Sequence, residues 1–352
     1  MTDERSMTSH LSAVMITAQV DVTHTTGKNT VTSSSSPGAD FYFACAVIVI
    51  GIVGTAANAL ILYALVASKQ HKKQVLIVNQ SVLDLLGCLF IAVTYALKIS
   101  NISLTGLLGY WLCMLLLSEN LLWCAIEGSV INLGIITIER YLKVVHPIWS
   151  KKLRTWMTYS STALPWVFSF MYNILTAFMT SAVIDGVCHG FVVFENTTDK
   201  MVHGVSYFLL FHVCSLFTFI LCYWRILVAI RRQARVVTSH GTVGTAQAAA
   251  AQAKENQIQS NVIKTMILVC AFFDITWLPE NVYYLLVSLD AELTLRESSY
   301  YAVIFISFLY ICMNPFIYAA KFDPVKLSLM RLIHRGNKKT SDSVQETRAA
   351  SS

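Results

Sequence analysis

Asn314-Pro315-Phe316-Ile317-Tyr318 lies near the end of an apolar segment that begins at Ser298, and Glu139-Arg140-Tyr141 ends an earlier apolar segment that begins at Leu107. Both segments reach the roughly 20 apolar residues that an α-helix needs to cross the hydrocarbon core of a bilayer. The two polar stretches therefore mark the ends of two membrane-spanning helices.

The composition of the whole chain agrees with a membrane protein. Hydrophobic residues make up 55% of the 352 residues and charged residues only 13%, whereas soluble domains carry about 25% charge. Seven apolar segments are long enough to span a bilayer. They are Phe41–Ala67, Gln74–Ile99, Leu107–Tyr141, Trp156–Val183, Val202–Ile230, Val262–Leu289 and Ser298–Ala319.

Inside lipid every backbone polar group needs a partner within the protein, and an apolar helix provides one for each residue. We therefore predict an all-α membrane protein, a seven-transmembrane helix bundle, rather than a hydrophobic soluble enzyme. The predicted parts are a disordered outer tail at 1–40, the bundle at 41–320, a short amphipathic C-terminal helix on the inner leaflet at 321–334 and a disordered cytoplasmic tail at 335–352.

Basic residues predict the orientation of the bundle. Of the 26 lysines and arginines, 21 lie in one set of alternate loops and in the C-terminal tail. The positive-inside rule then places the N-terminus outside the cell and the C-terminus in the cytoplasm of a plasma-membrane protein. The net charge of +6 favours anionic lipid headgroups of the bilayer, so binding to nucleic acid is not needed to explain it.

Two cysteines and two asparagines lie on the predicted outer side. Of nine cysteines, only Cys113 and Cys188 lie clearly in oxidising space, and we predict one disulfide between them, with two free thiols as the alternative. Asn101 and Asn196 begin Asn-x-Ser/Thr sequences and are predicted glycosylation sites.

Ionisable residues occur within the predicted spans, where each costs about 2.5–3.5 kcal/mol on insertion scales. Such residues are by default candidates for function. Five carboxylates fall in this group: Asp84, Glu119, Glu127, Asp274 and Glu280.

Asp84 lies in the middle of the second segment and requires a cation or a set of polar partners. Asn58, Ser129 and Asn314 fall at comparable depth. Together with Asp84 they are suited to hold a Na⁺ ion, and the alternative is a protonated Asp84 in a structural hydrogen-bond network.

These residues resemble the rhodopsin-like family of G-protein-coupled receptors, over about Phe41–Met330. The resemblance covers residues in all seven segments, at the spacings of the family. They are Gly54, Asn58, Asn79, Asp84, Ser129, Leu133, Ile136, Glu139, Arg140, Tyr141, Trp166, Tyr223, Phe273, Trp277, Pro279, Asn314, Pro315 and Tyr318.

The resemblance implies a role for the switch residues among them. Arg140 would be held by Glu139 at rest and would meet the G protein when released, with Tyr223 and Tyr318 moving toward it. Phe273 and Trp277 would transmit ligand contact, and Pro279 and Pro315 would kink their helices. In the family a sodium ion at Asp84, Ser129 and Asn314 favours the inactive state.

Three departures from the family pattern stand out. The proline of the fifth segment is replaced by Ser215, so we expect this helix to bulge less. Cys113 lies two residues further from Arg140 than is usual, so we expect a different shape at that end of the third segment. Asp274 beside Phe273 is also unusual.

The resemblance restricts the ligand. Leu122 stands where monoamine receptors carry an aspartate, and Phe308 stands where opsins carry the retinal-binding lysine. Monoamines are therefore disfavoured and covalent retinal is excluded. Carboxylates beside aromatic residues suit a cationic group, which indicates a peptide or another ligand with a basic group. Glu127 and His212 are either ligand contacts or a structural pair.

The candidate ligand-binding residues are Glu119, Asn120, Leu122, Trp123, Ile126, Glu127, His212, Trp277, Glu280, Asn281, Tyr284 and Ile304. Expected partners are a heterotrimeric G protein and an extracellular ligand, with arrestin and a receptor kinase as further candidates. A ligand-independent or non-coupling receptor-like scaffold and a seven-span transporter remain as alternatives, and we find no enzyme motif.

Overall fold

The computed structural model describes residues 38–69, 71–72, 74–100, 102–190, 197–239, 246–289, 297–321, 325–327 and 329–331. Within these ranges only the backbone is described for 151–159, 179–180, 233–239, 246–256, 258–259, 262, 297–298 and 321. The predicted glycosylation sites Asn101 and Asn196, residues 1–37 of the predicted outer tail and the predicted tail at 335–352 lie outside the described residues.

Long helices form seven spans in chain order. Spans one, two, four, six and seven are single helices, and spans three and five each contain a π-helical segment. The bounds are Ala39–Ala67 for span one, Val75–Ile99 for span two, Gly106–Leu112, Cys113–Leu117 (π) and Asn120–Val145 for span three, Pro147–Thr180 for span four, Thr197–Tyr207, Phe208–Val213 (π) and Cys214–Ser239 for span five, Ala246–Ser288 for span six, and Glu297–Lys321 for span seven. Beyond span seven, residues 325–327 and 329–331 are helical, within the predicted amphipathic helix.

Six of these spans are long and apolar enough to cross a membrane on the described residues alone. Span four is the remaining long helix, and it packs against span three. It begins nine residues before the predicted Trp156 and ends at Thr180, because the chain turns there into strand β1 (Ala182–Ile184). β1 pairs in antiparallel register with β2 (Val187–His189).

The distribution of side chains suits a bundle surrounded by lipid. Large apolar side chains such as Val49, Ile52, Phe217 and Ile275 are exposed, and exposed apolar areas of this extent are rare on soluble monomers. Polar side chains such as those of Asn58, Asp84 and Asn314 are instead fully buried between the helices. A membrane-spanning bundle accounts for both observations, since the outward faces meet hydrocarbon.

Span three is interrupted at Glu119, whose backbone is left-handed with φ of 61°. The five residues Cys113–Leu117 form the π-helical segment just before it, and a π-turn accommodates extra residues within a helix. Two residues separate this segment from the helix that begins at Asn120. The additional residues between Cys113 and Arg140 are therefore absorbed here, and the expected change of shape at this end of span three is present.

Local hydrogen bonds stabilise the interruption. The N–H of Ser118 donates to the carbonyl of Cys113 at 2.9 Å, and the N–H of Glu119 donates to that of Leu116 at 2.8 Å. The side-chain amide of Asn120 donates to the carbonyl of Met114 at 2.6 Å. These bonds satisfy carbonyls that a broken helix would leave without partners.

Span five contradicts the expectation of a smaller bulge. Residues Phe208–Val213 are π-helical even though the chain has Ser215 in place of proline. A π-bulge widens a helix by shifting hydrogen bonds from i−4 to i−5, and this shift does not require a proline. The absence of proline was therefore the wrong signal for this helix.

The predicted disulfide between Cys113 and Cys188 is confirmed, with a Cα–Cα distance of 5.3 Å. It joins β2 to the π-helical segment of span three. The alternative of two free thiols is therefore excluded. We call this end of the bundle the disulfide end, and the opposite end, where span three reaches Arg140, the Arg140 end.

Candidate functional site

Asp84 is completely buried in the middle of the bundle and is surrounded by donors from three spans. Ser129 donates its hydroxyl to Oδ1 at 2.6 Å, and the amide of Asn314 donates to Oδ2 at 2.9 Å. The structure thus brings together the three residues predicted for a sodium site. The amide of Asn58 donates instead to the carbonyls of Gly54 and Ile311.

Gln80 is a further member of this site that the sequence reasoning missed. Its amide donates to Oδ1 of Asp84 at 3.2 Å and to the hydroxyl of Ser129. Its own oxygen accepts a hydrogen bond of 2.7 Å from Asn132. A glutamine four residues before an intramembrane aspartate lies on the same helix face, and this spacing could have identified it.

The polar network continues from Asn132 to span four. The amide of Asn79 donates to Oδ1 of Asn132 at 2.9 Å, and the indole N–H of Trp166 donates to Oδ1 of Asn79 at 2.9 Å. Hydrogen bonds therefore run without a gap from Asp84 to the half-exposed face of span four, which links spans two, three and four.

At the Arg140 end the arginine has two neighbours. Its Nε lies 3.8 Å from Oε2 of Glu139, and its Nη2 donates to Oε1 of Gln74 at 3.1 Å. Glu139 makes its closer ion pair with Lys143, at 2.6 Å. The restraint on Arg140 is thus shared between the predicted Glu139 and the unpredicted Gln74. Tyr141 contacts His146, 3.2 Å from its hydroxyl.

Tyr223 and Tyr318 are both buried in the bundle. The hydroxyl of Tyr223 lies 3.2 Å from that of Thr137 on span three. Span six continues as a helix through Pro279 and span seven through Pro315. Among the switch residues taken from the resemblance, Tyr223 therefore contacts span three toward its Arg140 end.

Aromatic rings connect the disulfide half of the bundle with the Asp84 network. The ring centroids of Trp123 and Trp277 are 5.7 Å apart, and those of Trp277 and Phe273 are 6.4 Å apart. Phe273 lies 5.1 Å from Tyr310, whose hydroxyl is 3.2 Å from that of Ser129. The contacts form an unbroken physical path to the Asp84 network.

A partly open cavity lies between spans three, four, five and six in the disulfide half of the bundle. Aromatic rings and two carboxylates dominate its walls, and none of its described lining residues is a lysine or arginine. The lining residues are Trp123, Glu127, Tyr172, Asn173, Thr176, His203, Tyr207, Glu280 and Tyr284.

Four of the predicted ligand-binding residues, Trp123, Glu127, Glu280 and Tyr284, line this cavity. Glu127 and His212 do not pair with each other, so the interpretation of these residues as a structural pair is wrong. Oε2 of Glu127 accepts a hydrogen bond of 2.5 Å from Asn173, and Nδ1 of His212 lies 3.4 Å from the amide of Asn281.

The other predicted ligand-binding residues lie outside the cavity walls. Leu122 and Ile126 are buried in the core. Trp277 packs against Trp123, which lines the cavity. Ile304 is half-buried on span seven, and Asn120 stabilises the interruption of span three. Glu119 is buried and forms an ion pair of 2.5 Å with Lys98.

The sequence reasoning missed Tyr172, Asn173 and Thr176 on span four, and His203 and Tyr207 on span five. The hydroxyl of Tyr284 lies 2.8 Å from Nδ1 of His203, and that of Tyr172 lies 3.4 Å from Nε2. Asn173 was the available signal, because a polar amide in the middle of an apolar span requires a partner.

The chain matches the family model described as 7 transmembrane receptor (rhodopsin family) over residues 57–318. It belongs to this family, and the predicted fold and receptor class are confirmed. The protein is therefore a G-protein-coupled receptor for an extracellular ligand rather than an enzyme, and the transporter and scaffold alternatives are not favoured.

Curated relatives are similar over most of their length. The chain is 24% identical to the neuropeptide Y receptor type 6 of Mus musculus over 82% of this chain and 78% of that protein. It is 25% identical to the somatostatin receptor type 3 of Mus musculus over 83% and 68%. It is 24% identical to the allatostatin-A receptor of Bombyx mori over 81% and 77%.

Proposed function

We propose that this receptor lies in the plasma membrane and recognises an extracellular peptide through a basic group. The observation that carries the proposal is the cavity with two buried carboxylates, Glu127 and Glu280, among aromatic rings. The relatives add support, since two of them are named as receptors for neuropeptide Y and somatostatin.

In this proposal the disulfide end faces the cell exterior and the Arg140 end faces the cytoplasm. The excess of basic residues in alternate loops and in the C-terminal tail supports this orientation, and a disulfide persists in an oxidising compartment. Asn101 and Asn196 would then carry glycans, and the serines and threonines of the C-terminal tail would be available to a receptor kinase and so to arrestin.

Signalling follows from different affinities for two states. A ligand shifts the receptor toward the active form only as far as it binds that form more tightly. Ligand contacts at Trp123 would reach Phe273 through Trp277, and rearrangement there would release Arg140 to bind the G protein. The restraint on Arg140 by Glu139 and Gln74 sets the cost of this step.

The residues around Asp84 also fit a Na⁺ ion, which we propose as an allosteric ligand. The side-chain oxygen of Asn314 is buried with no donor among the described residues, although its nitrogen holds Asp84. An oxygen with free lone pairs, a carboxylate and the hydroxyl of Ser129 form a donor set that suits a small cation. Bound sodium would supply a positive counter-charge to the Asp84 carboxylate.

Replacing Na⁺ by N-methyl-D-glucamine is expected to lower the thermal stability of the purified wild type. The loss is about 1.4 kcal/mol if sodium is present at tenfold its dissociation constant. Asp84→Asn should show no difference between the two cations. Equal stability of the wild type in both salts would contradict a sodium site.

A G-protein activation panel in cells tests the receptor function. The wild type is measured beside Arg140→Ala and Glu139→Gln, first without ligand and then with pooled peptides and amines. We expect at least a tenfold loss of signal in Arg140→Ala, because the residue that meets the G protein is removed, and raised basal signal in Glu139→Gln. Surface staining controls for expression, and full signal from Arg140→Ala would contradict the proposed switch.

A further inference from the structure

Three buried glutamates are described in the disulfide half of the bundle, and their surroundings differ. Glu119 is paired with Lys98 at 2.5 Å, and Glu127 accepts a hydrogen bond of 2.5 Å from Asn173. Glu280 has only 7% of its surface exposed, and its Oε2 atom has no hydrogen-bond donor among the described residues. A buried oxygen left without a hydrogen-bond partner costs about 1–3 kcal/mol, so the presence of Glu280 at this place requires an explanation.

The cavity supplies part of that explanation. Glu280 lines it together with Trp123, Tyr207 and Tyr284. The rings of Tyr207 and Tyr284 are 5.5 Å apart, and those of Trp123 and Tyr207 are 6.4 Å apart. Aromatic faces attract a cation by their quadrupoles, and the attraction strengthens where water is excluded.

A second lining residue of the same cavity also has an unpartnered polar atom. The indole Nε1 of Trp123 is buried with no acceptor among the described residues. Two of the described lining residues therefore carry polar atoms without partners, an acceptor on Glu280 and a donor on Trp123. A cationic group that bears N–H bonds and lies close to a carbonyl oxygen complements both.

We propose that Glu280 receives an N–H-bearing cation of the ligand, an ammonium or guanidinium at one end of a peptide. Glu127 holds the wall of the cavity through Asn173, and Glu119 fixes the interruption of span three through Lys98. The inference rests on the proposed function, since it deepens the recognition of a basic group.

Binding of fragments to the full-length receptor in lipid nanodiscs tests the assignment. The probes are N-acetyl-L-argininamide and its neutral isostere N-acetyl-L-citrullinamide, each titrated against the quenching of tryptophan fluorescence. Both carry carbonyl oxygens, and they differ in the charge of the side chain. In the wild type we expect the arginine probe to bind at least tenfold more tightly.

Glu280→Gln is expected to reduce this preference to threefold or less. Asp274→Asn is the control, because it removes a carboxylate from the same span that does not line the cavity; it should retain the preference. Glu280→Asp, which keeps a carboxylate, should keep part of the preference for the arginine probe. It replaces the glutamine variant in the test if that variant does not fold. An unchanged preference in Glu280→Gln would overturn the assignment, as would no binding of the arginine probe to the wild type.

A quaternary probe tests the requirement for N–H bonds. N-acetyl-trimethyl-L-lysinamide carries a charge without a donor, so it should bind more weakly than N-acetyl-L-lysinamide. Stronger binding of the quaternary probe would assign recognition to the rings and not to Glu280. These measurements need no G protein, so a receptor that binds the probes without signalling would contradict the coupling scheme alone.

Discussion

Asp84 and Glu280 are both carboxylates buried in the bundle, yet they are satisfied in opposite ways. Asp84 receives hydrogen bonds at both oxygens from Ser129, Gln80 and Asn314. Glu280 has an oxygen for which the described protein supplies no donor. The difference shows that burial alone does not tell how much of the hydrogen bonding of a carboxylate the protein itself supplies. The proposed Na⁺ would join a network that already holds Asp84, whereas the proposed ligand cation would itself be the partner of Glu280.

Removal of the Asp84 carboxylate should have the largest effect on stability. Asp84→Ala removes the acceptor of three buried hydrogen bonds, from Ser129, Gln80 and Asn314, and each group left unsatisfied costs about 1–3 kcal/mol. We expect a loss of roughly 3 kcal/mol or more in thermal unfolding of the purified receptor. Asp84→Asn, which keeps one acceptor oxygen, should lose less. If Asp84→Ala were as stable as the wild type, the network would have no structural role.

The ion pair between Lys98 and Glu119 should have an intermediate effect. Glu119 has only 4% of its side chain exposed, so Lys98→Ala leaves a buried charge without its partner. Because Lys98 is itself partly exposed, we expect a loss of about 2 kcal/mol, below the usual cost of breaking a fully buried pair.

Adding Glu119→Gln to Lys98→Ala should restore part of that stability, since the charge that lost its partner is also removed. A double-mutant cycle on the unfolding free energies measures the coupling between the two residues. Additive effects of the two substitutions would indicate that the observed contact contributes nothing.

Glu280→Gln should have the smallest effect, and its sign should be opposite. The substitution replaces a buried carboxyl group by a neutral amide of similar size without removing any described hydrogen bond to Oε2, so we expect stability to rise by about 1 kcal/mol. Residues retained for function commonly reduce stability in this way. A loss of stability comparable with that of Asp84→Ala would mean that Glu280 has a structural partner and would remove the contrast between the two sites.

The sequence was sufficient for the bundle and for its switch residues. Apolar length identifies each span because lipid leaves the backbone few alternatives to a helix, and the spacing of Arg140, Trp277 and Asn314 identified the family. Ser129 and Asn314 were predicted to lie beside Asp84, because the depth of a residue within its span can be counted along the sequence.

The partners of each polar residue could not be predicted in the same way. Glu127 had two candidate roles, and the choice of Asn173 over His212 depends on how spans three, four and five are rotated about their axes. Helix rotation is set by packing, which a single sequence does not reveal. The π-segment at Phe208–Val213 was missed because no proline or glycine marks it.

The left-handed residue Glu119 also determines how far positions can be transferred from related receptors. Counting back from Arg140 along a continuous helix is valid only as far as Asn120, where that helix begins. The comparison of Leu122 with the aspartate of monoamine receptors lies within this range and stands. Beyond Glu119 the count shifts by two residues, so an alignment anchored at Cys113 and one anchored at Arg140 assign different equivalents to the segment between them.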